Sequence, residues 1–197
     1  KAVLMWGVLP AIPCLLAWLA ARPGVPVAVH IAVAVLLVVP IAPLLARVVF
    51  QPIADASVLV LLIVSLALHF LLSGLGLLFF GPEGVRTEPL TSMAMEIAGV
   101  HVSGQTVLIL TAALVFSGLL FLFFDFTLIG KALRATALNR TGARLMGIRP
   151  ARAGTIAYLL GSLMAGVSGV LIAPVNTIFY DSGFLLGLKA FVGAIIG

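Results

Sequence analysis

The sequence predicts an all-α integral membrane protein, a polytopic helical bundle with about five full spans and a truncated sixth. Hydrophobic residues make up 63% of the 197-residue chain and charged residues only 9%, whereas about a quarter of an ordinary soluble domain is charged. Apolar runs of about 20 residues, the length at which a helix crosses hydrocarbon, recur along the chain. One cysteine, Cys14, excludes an internal disulfide and a cysteine-based metal cluster.

The candidate spans are apolar runs that contain few or no charged residues. They are residues 2–21, 23–46, 56–82, 97–124, 153–180 and 182–197, and the first part of the fourth run, up to Gln105, looks like an approach segment. Because these runs do not alternate between apolar and polar residues, as transmembrane β-strands do, we expect helices. The chain begins at Lys1 rather than at methionine, and its last apolar run stops without a polar flank. We therefore expect a single transmembrane domain, residues 1–197, that is a fragment of a longer chain.

The first apolar run has two interpretations. Lys1 followed by apolar residues is compatible with a cleaved signal peptide. However, the run is long for such a peptide, and Pro10 and Pro13 lie in its middle. Trp6 and Trp18 lie near its two ends, where tryptophans anchor a helix at the membrane interface. We favour a span that is retained.

The basic residues are concentrated between the fourth and fifth spans. Six of the 11 lysines and arginines are Lys131, Arg134, Arg140, Arg144, Arg149 and Arg152. No acid lies between Asp125 and Asp181. Since loops rich in lysine and arginine stay in the cytoplasm, we expect residues 127–152 to form a cytoplasmic loop, and the acid-rich loop 83–96 to lie outside. The positive charge thus indicates orientation, and we expect no nucleic-acid partner.

Within this loop the sequence predicts two helices. The first extends the fourth span from Gly130 to near Asn139, which can cap a second, short helix over residues 140–146. Gly147 is suited to end that helix in a left-handed conformation. The apolar side of the short helix consists of Ala143, Leu145 and Met146. The loop either sets topology alone or docks a cytoplasmic partner whose movement it transmits as a rigid-body push.

Several motifs resemble a known family. They are Val102-Ser103-Gly104-Gln105, Lys131-Ala132-Leu133-Arg134-Ala135-Thr136-Ala137 and Ala143-Arg144-Leu145-Met146-Gly147-Ile148, followed by residues 161–171 and 183–193. In these motifs the sequence resembles the permease subunits of branched-chain amino-acid ABC importers. The resemblance covers roughly residues 45–197. The ending Leu188-Lys189-Ala190-Phe191 is closer to the first of the two paired permease types than to the second.

The resemblance implies a multi-pass subunit of the bacterial inner membrane. The sequence itself has no His/Cys/Asp/Glu cluster with metal-ligand spacing and no evident nucleophile–base pair, so we expect no catalytic residue, cofactor or metal. The resemblance also implies three kinds of protein partner: a second permease subunit, cytoplasmic ATPase subunits and a periplasmic substrate-binding protein. The implied activity is import of branched-chain or related amino acids through the lipid bilayer, by alternating access that the ATPases drive. Relatives of this general kind also carry amides and urea, which leaves the substrate open.

Family members carry a coupling helix with the pattern Glu-Ala-Ala-x-x-x-Gly, which docks on the ATPase. The matching positions here are Thr141, Gly142, Ala143 and Gly147, so threonine and glycine replace the usual glutamate and first alanine. The resemblance therefore implies ATPase docking by a set of residues around this pattern. They are Arg140, Thr141, Ala143, Arg144, Leu145, Met146 and Gly147.

Small residues recur at a spacing of four in the fifth span. They are Gly161, Ala165 and Gly169, with Gly166 on a neighbouring row. Small residues at this spacing let helices approach closely in lipid. We expect these residues to pack against another helix of this chain or of a partner permease.

Two other function classes remain as alternatives. An ion-coupled secondary transporter should carry acids or a proton relay within its spans, yet Asp55, Asp125 and Asp181 lie at predicted span ends. A membrane anchor without a translocation path would need no coupling helix. The chain has no glycine-rich phosphate loop followed by lysine and serine or threonine, so energy for transport must come from a partner or an ion gradient. The residues that line a path are not identified.

Overall fold

A computed structural model describes residues 18, 26–54, 56–91, 93–97 and 100–196. Most of these residues are helical, as predicted. The helices are α1 (Val27–Val38), α2 (Ile41–Leu45), α3 (Val58–Phe80), α4 (Gly104–Phe126), α5 (Leu128–Leu138), α6 (Arg140–Leu145), α7 (Pro150–Ile172) and α8 (Ser182–Ile196). A π-helical turn, Ala46–Phe50, follows α2, and the strands β1 (Ala94–Ile97) and β2 (Val100–Ser103) form a hairpin before α4.

Four stretches of the described chain are long and apolar enough to cross a membrane. They are Val27–Phe50, Leu59–Phe80, Gly104–Phe126 and Pro150–Ile172. These stretches correspond to the second to fifth predicted spans, and the shorter apolar helix α8 lies at the position of the sixth. The predicted all-α membrane class is confirmed. The first predicted span, residues 2–21, lies outside the described residues apart from Trp18.

The fourth and fifth spans have different limits from those predicted. The start of the predicted fourth span, from residue 97, belongs to the hairpin, so the helix begins only at Gly104. The fifth begins earlier, at Pro150. Proline suits the first position of a helix, because an N–H there would have no partner within the helix. It ends at Ile172, since a helix usually stops before a proline and Pro174 follows.

The first described span is bent at its prolines. Pro40 separates α1 from α2, and Pro43 lies inside α2. Proline removes a backbone donor and crowds the preceding turn, so a helix kinks there. The backbone then widens into the π-helical turn, in which the N–H of Gln51 donates to the carbonyl of Ala46 at 2.8 Å.

Contacts divide the chain into two units, of which the first comprises Lys1–Pro52 and Leu114–Val170. In this unit the hydroxyl of Ser162, on α7, donates to the carbonyl of Val39 at 2.7 Å. The rings of Phe50 and Tyr158 stack with 6.2 Å between their centroids. These contacts connect α7 to the bent span, and the serine bond places a hydroxyl where the proline-induced break frees a carbonyl.

The second unit comprises Ile53–Ala113 and Leu171–Gly197. The segment after α3 pairs with the segment after α7 through an antiparallel bridge between Val85 and Ile178, with both N–H···O distances 2.9 Å. Arg86 donates from Nε to the carbonyl of Pro174 at 2.9 Å. Two loops that are far apart in sequence are thereby tied together by backbone carbonyls.

Gln105 joins the same two segments. It lies in the first turn of α4 and is 3% exposed. Its Oε1 accepts from the N–H of Leu90 at 3.1 Å, and its Nε2 donates to the carbonyl of Leu171 at 2.8 Å. Because one amide satisfies a donor and an acceptor of two different segments, it fixes the spacing between the end of α7 and the loop after α3.

The long apolar helices bury very little of their own surface. In three of the four candidate spans, the most apolar stretch contains no residue that is buried within the described chain. Large apolar side chains such as Leu78, Phe79 and Phe80 are about four-fifths exposed. A lipid bilayer or other polypeptides must therefore cover these surfaces, since water-exposed apolar patches of this size are not stable in a soluble protein.

We expect Gln105→Leu to lower the free energy of unfolding by about 2 kcal/mol, because it leaves the Leu90 N–H and the Leu171 carbonyl without partners. The measurement is reversible unfolding of the purified protein in mixed detergent micelles. The matched control is Thr111→Val, which removes a hydroxyl that bonds only the carbonyl of Val107 in its own helix and should change stability by less than about 0.5 kcal/mol. Equal stability of the two variants would contradict the linking role of Gln105.

Candidate functional site

The basic loop begins with a sharp turn at Thr127. Its backbone is extended (φ −98°, ψ 146°), and its Oγ1 accepts from the N–H of Gly130 at 3.0 Å and donates to the carbonyl of Phe123 at 2.6 Å. One hydroxyl thus caps α5 and occupies a carbonyl at the end of α4. The prediction that this segment extends the fourth span was wrong, because Thr127 interrupts the helix and starts a new one.

A close approach holds α5 against the end of α4. A Cβ added at Gly130 would overlap the carbonyl oxygen of Phe123 and the Cα of Phe124, so only glycine fits there. Arg134, one turn further along, forms an ion pair with Asp125 and lies over the ring of Phe124 at 5.8 Å. The ring contact adds to a partly exposed ion pair that by itself contributes little.

The start of α6 is closed by Asn139, as predicted. Asn139 has extended backbone angles (φ −149°, ψ 100°), and its Oδ1 accepts from the N–H of Gly142 at 2.9 Å. The side chain thereby satisfies one of the donors that a helix start leaves unpaired. The same residue ends α5, so a single extended residue separates the two helices.

The end of α6 is closed by a Schellman motif. Gly147 has φ +79°, the left-handed region that glycine adopts without steric cost. Its N–H donates to the carbonyl of Arg144 at 3.0 Å, and the N–H of Ile148 donates to the carbonyl of Ala143 at 3.0 Å. This is the paired bonding of that motif. The predicted left-handed stop at Gly147 is confirmed.

The short helix has one buried position and a broad exposed side. Ala143 is only 4% exposed, whereas Leu145 and Met146 are 84% and 82% exposed. The other residues predicted to dock an ATPase are also exposed, namely Arg140, Thr141, Arg144 and Gly147. Ala143 therefore positions the helix, and the surface available to a partner combines two arginines with two large apolar side chains.

Of the small residues predicted to pack in the fifth span, Gly166 lies beside another helix. A Cβ added at Gly166 would lie 3.8 Å from Cγ1 of Val38, on the bent span. At Gly161 and Gly169 an added Cβ would meet no atom of the described chain within 4 Å, and Ala165 is exposed. Close helix packing by Gly161, Ala165 and Gly169 therefore stays a prediction.

Two sets of polar contacts are not evident from the sequence. The amide of Gln105 was recognised only as part of a motif, although it joins two loops. His101 pairs across the hairpin with Glu96 at 2.9 Å, on an exposed surface. Strands of only four residues are too short for their alternating pattern to be recognised in the sequence.

Comparison with known proteins places the chain among membrane permeases. A family model described as the permease component of the branched-chain amino acid transport system matches residues 4–197. The high-affinity branched-chain amino acid transport system permease protein LivH of Salmonella typhimurium (strain LT2) is 26% identical over 160 residues, which are 77% of this chain and 51% of that protein. LivH of Escherichia coli (strain K12) is 34% identical over 77 residues, which are 39% of this chain and 25% of that protein.

The chain thus spans about half the length of the first of these curated relatives. No solved structure matches it.

We expect Gly147→Ala to loosen α6, since alanine in the left-handed region costs about 1–2 kcal/mol. Amide hydrogen exchange of residues 140–148 should become about tenfold faster, while exchange in α7 stays unchanged. The control is Gly154→Ala, because Gly154 lies inside α7 and an added Cβ there meets no described atom within 4 Å. If Gly154→Ala accelerated exchange of residues 140–148 equally, the left-handed stop would not be what holds α6.

Proposed function

This chain belongs to the family of permease components of branched-chain amino acid transport systems, and we propose that it is the membrane subunit of an ATP-driven importer for branched-chain or related amino acids. In this proposal it pairs with a second permease subunit and with cytoplasmic ATPase subunits, and a periplasmic substrate-binding protein delivers the substrate. With four apolar stretches of spanning length among its described residues, the chain is a multi-pass membrane protein. Because the relatives named above are bacterial proteins, we place it in a bacterial inner membrane.

The proposal rests mainly on α6, a short helix that is capped at both ends and exposed on one side. A loop that only sets topology needs positive charge but no defined conformation. Here the loop contains a six-residue helix that is capped by Asn139 at its start and by Gly147 at its end. Defined ends and two exposed apolar side chains, Leu145 and Met146, are typical of a surface that is covered by another protein.

The two ends of α6 connect it tightly to the membrane helices. On one side, α5 is fixed to the end of α4 by Thr127, Gly130 and the pairing of Arg134 with Asp125. On the other side, two residues separate the left-handed Gly147 from the start of α7. A force applied to α6 is therefore passed to α5 and α7 instead of being absorbed by a flexible loop. In our proposal, closure of the ATPases supplies this force and drives alternating access.

The surface of α6 differs from the family pattern in its charge. Thr141 and Gly142 stand where an acid and an alanine are usual, and Arg140 and Arg144 are exposed. The docking surface is thus basic and apolar, and we propose that the ATPase cleft presents acidic and apolar side chains to it. Charge complementarity of this kind favours the correct partner and speeds its association.

The substrate class follows from the relatives. Both relatives named above are described as branched-chain amino acid permeases. Leucine, isoleucine and valine are therefore the first candidates, with amides and urea as alternatives. Uptake of labelled leucine in competition with unlabelled compounds distinguishes them. A branched-chain amino acid carrier takes up leucine and loses this uptake when valine is added, whereas an amide or urea carrier takes up little leucine.

We predict that Ala143→Glu and Gly147→Pro reduce ATP-dependent leucine uptake at least tenfold while the protein still inserts. Glutamate in place of Ala143 puts a charge at a buried position, and proline cannot adopt the φ of +79° at Gly147. The measurement is uptake into proteoliposomes that contain the complete transporter, together with co-purification of the ATPase.

Ala137→Glu is the matched control, because it makes the same substitution at an exposed position of α5. It should leave uptake and ATPase association within about twofold of the unmodified protein. Normal ATP-dependent uptake by both Ala143→Glu and Gly147→Pro would exclude α6 as the coupling element. Uptake that follows an ion gradient without ATP would indicate a secondary transporter.

A further inference from the structure

A groove lies between α5 and the start of α7, beside the helix proposed to dock the ATPase. It has a volume of about 450 Å³. Leu133 and Ala153 form its buried base, at 9% and 7% exposed. Leu128 and Ile129 line it from α5 and are largely exposed, so much of its wall is apolar and uncovered by the described chain.

Two arginines line the same groove. Arg149 precedes α7, and Arg152 lies in its first turn. Both are exposed, and no described residue forms a hydrogen bond or ion pair with either guanidinium. Asp125, the acid of this unit closest to the loop in sequence, is already paired with Arg134. The groove therefore combines an apolar wall with two positive charges that no acid of the described chain offsets.

The position of the groove along the chain favours a ligand from the membrane interface. Residues 127–152 connect two apolar helices of spanning length, so we expect the groove to lie near the membrane interface. The positive end of the α7 dipole is at the same place, which adds to the attraction of an anion. The ligand must carry a negative group and a long apolar group together.

We propose that this groove binds an anionic phospholipid, whose phosphate is held by Arg149 and Arg152 and whose acyl chain covers Leu128 and Ile129. A guanidinium donates two parallel hydrogen bonds to phosphate oxygens, and basic residues next to a membrane helix attract anionic lipids. Free phosphate would occupy only the arginine end and leave the apolar wall exposed. Gly147, which ends α6, also lines the groove. The bound lipid therefore contacts the segment that connects α6 to α7.

The test is lipid binding by the purified, delipidated protein, measured by native mass spectrometry with dioleoyl phosphatidylglycerol and dioleoyl phosphatidylcholine. We expect at least tenfold tighter binding of phosphatidylglycerol. The double variant Arg149→Gln/Arg152→Gln should weaken its binding by about thirtyfold. The control Arg140→Gln/Arg144→Gln makes the same change in charge on α6, outside the groove, and should weaken binding by less than about threefold.

Further variants separate the lipid from other ligands. Arg149→Lys/Arg152→Lys keeps the charge and should retain most of the affinity, which also shows that the site tolerates substitution. Ala132→Phe fills part of the apolar groove and should weaken phosphatidylglycerol binding, and millimolar inorganic phosphate should not displace the lipid.

Three results would overturn the proposal. The first is equal affinity for the two phospholipids, and the second is displacement of the lipid by inorganic phosphate. The third is a loss of ATPase association in the Arg149→Gln/Arg152→Gln variant without a change in lipid affinity, which would assign the groove to the ATPase. Because lipid binding is measured without transport, it is decided independently of the importer function.

Discussion

Hydrocarbon offers no hydrogen-bond donors or acceptors to the polypeptide. Every backbone donor and acceptor at membrane depth has to be satisfied by the protein itself. The long helices achieve this along their length, and polar side chains supply partners where the helices end or bend. Ser162 donates to a carbonyl beside the proline bend, Gln105 joins two segments that leave their helices, and Thr127 occupies both a carbonyl and an N–H at a helix junction.

The cost of placing charge in hydrocarbon also shapes the basic loop. Charges must stay out of the hydrocarbon, so the chain between α4 and α7 turns sharply at Thr127 and forms short helices instead of extending a span. Each turn in this loop is fixed by a specific residue: Gly130 by close approach, Asn139 by capping and Gly147 by its left-handed backbone. A loop fixed at each turn can pass on a push from a partner, and its exposed arginines suit both an acidic protein surface and an anionic lipid.

Local features of this chain could be predicted from sequence, and features that depend on distant contacts could not. Apolar runs predicted the second to fifth spans, and Asn139 and Gly147 predicted both ends of α6, because caps are decided by residues within a turn. The break at Thr127 is an exception: its cap is local, through the N–H of Gly130, but the apolar residues on both sides of Thr127 had indicated one continuous helix. The partners of Gln105 lie 15 and 66 residues away, a separation at which one sequence gives no signal. The docking surface was predicted as a set of residues, but only the structure shows that Ala143 is turned inward.

Photo-crosslinking from the surface of α6 shows which protein covers this helix. A benzophenone amino acid placed at Leu145 in the complete transporter, within intact cells, reports the protein that covers this side chain. We expect a covalent product with the ATPase subunit, identified by mass spectrometry. A product with a periplasmic protein, or with lipid alone, would contradict the claim that an ATPase binds α6 from the cytoplasm.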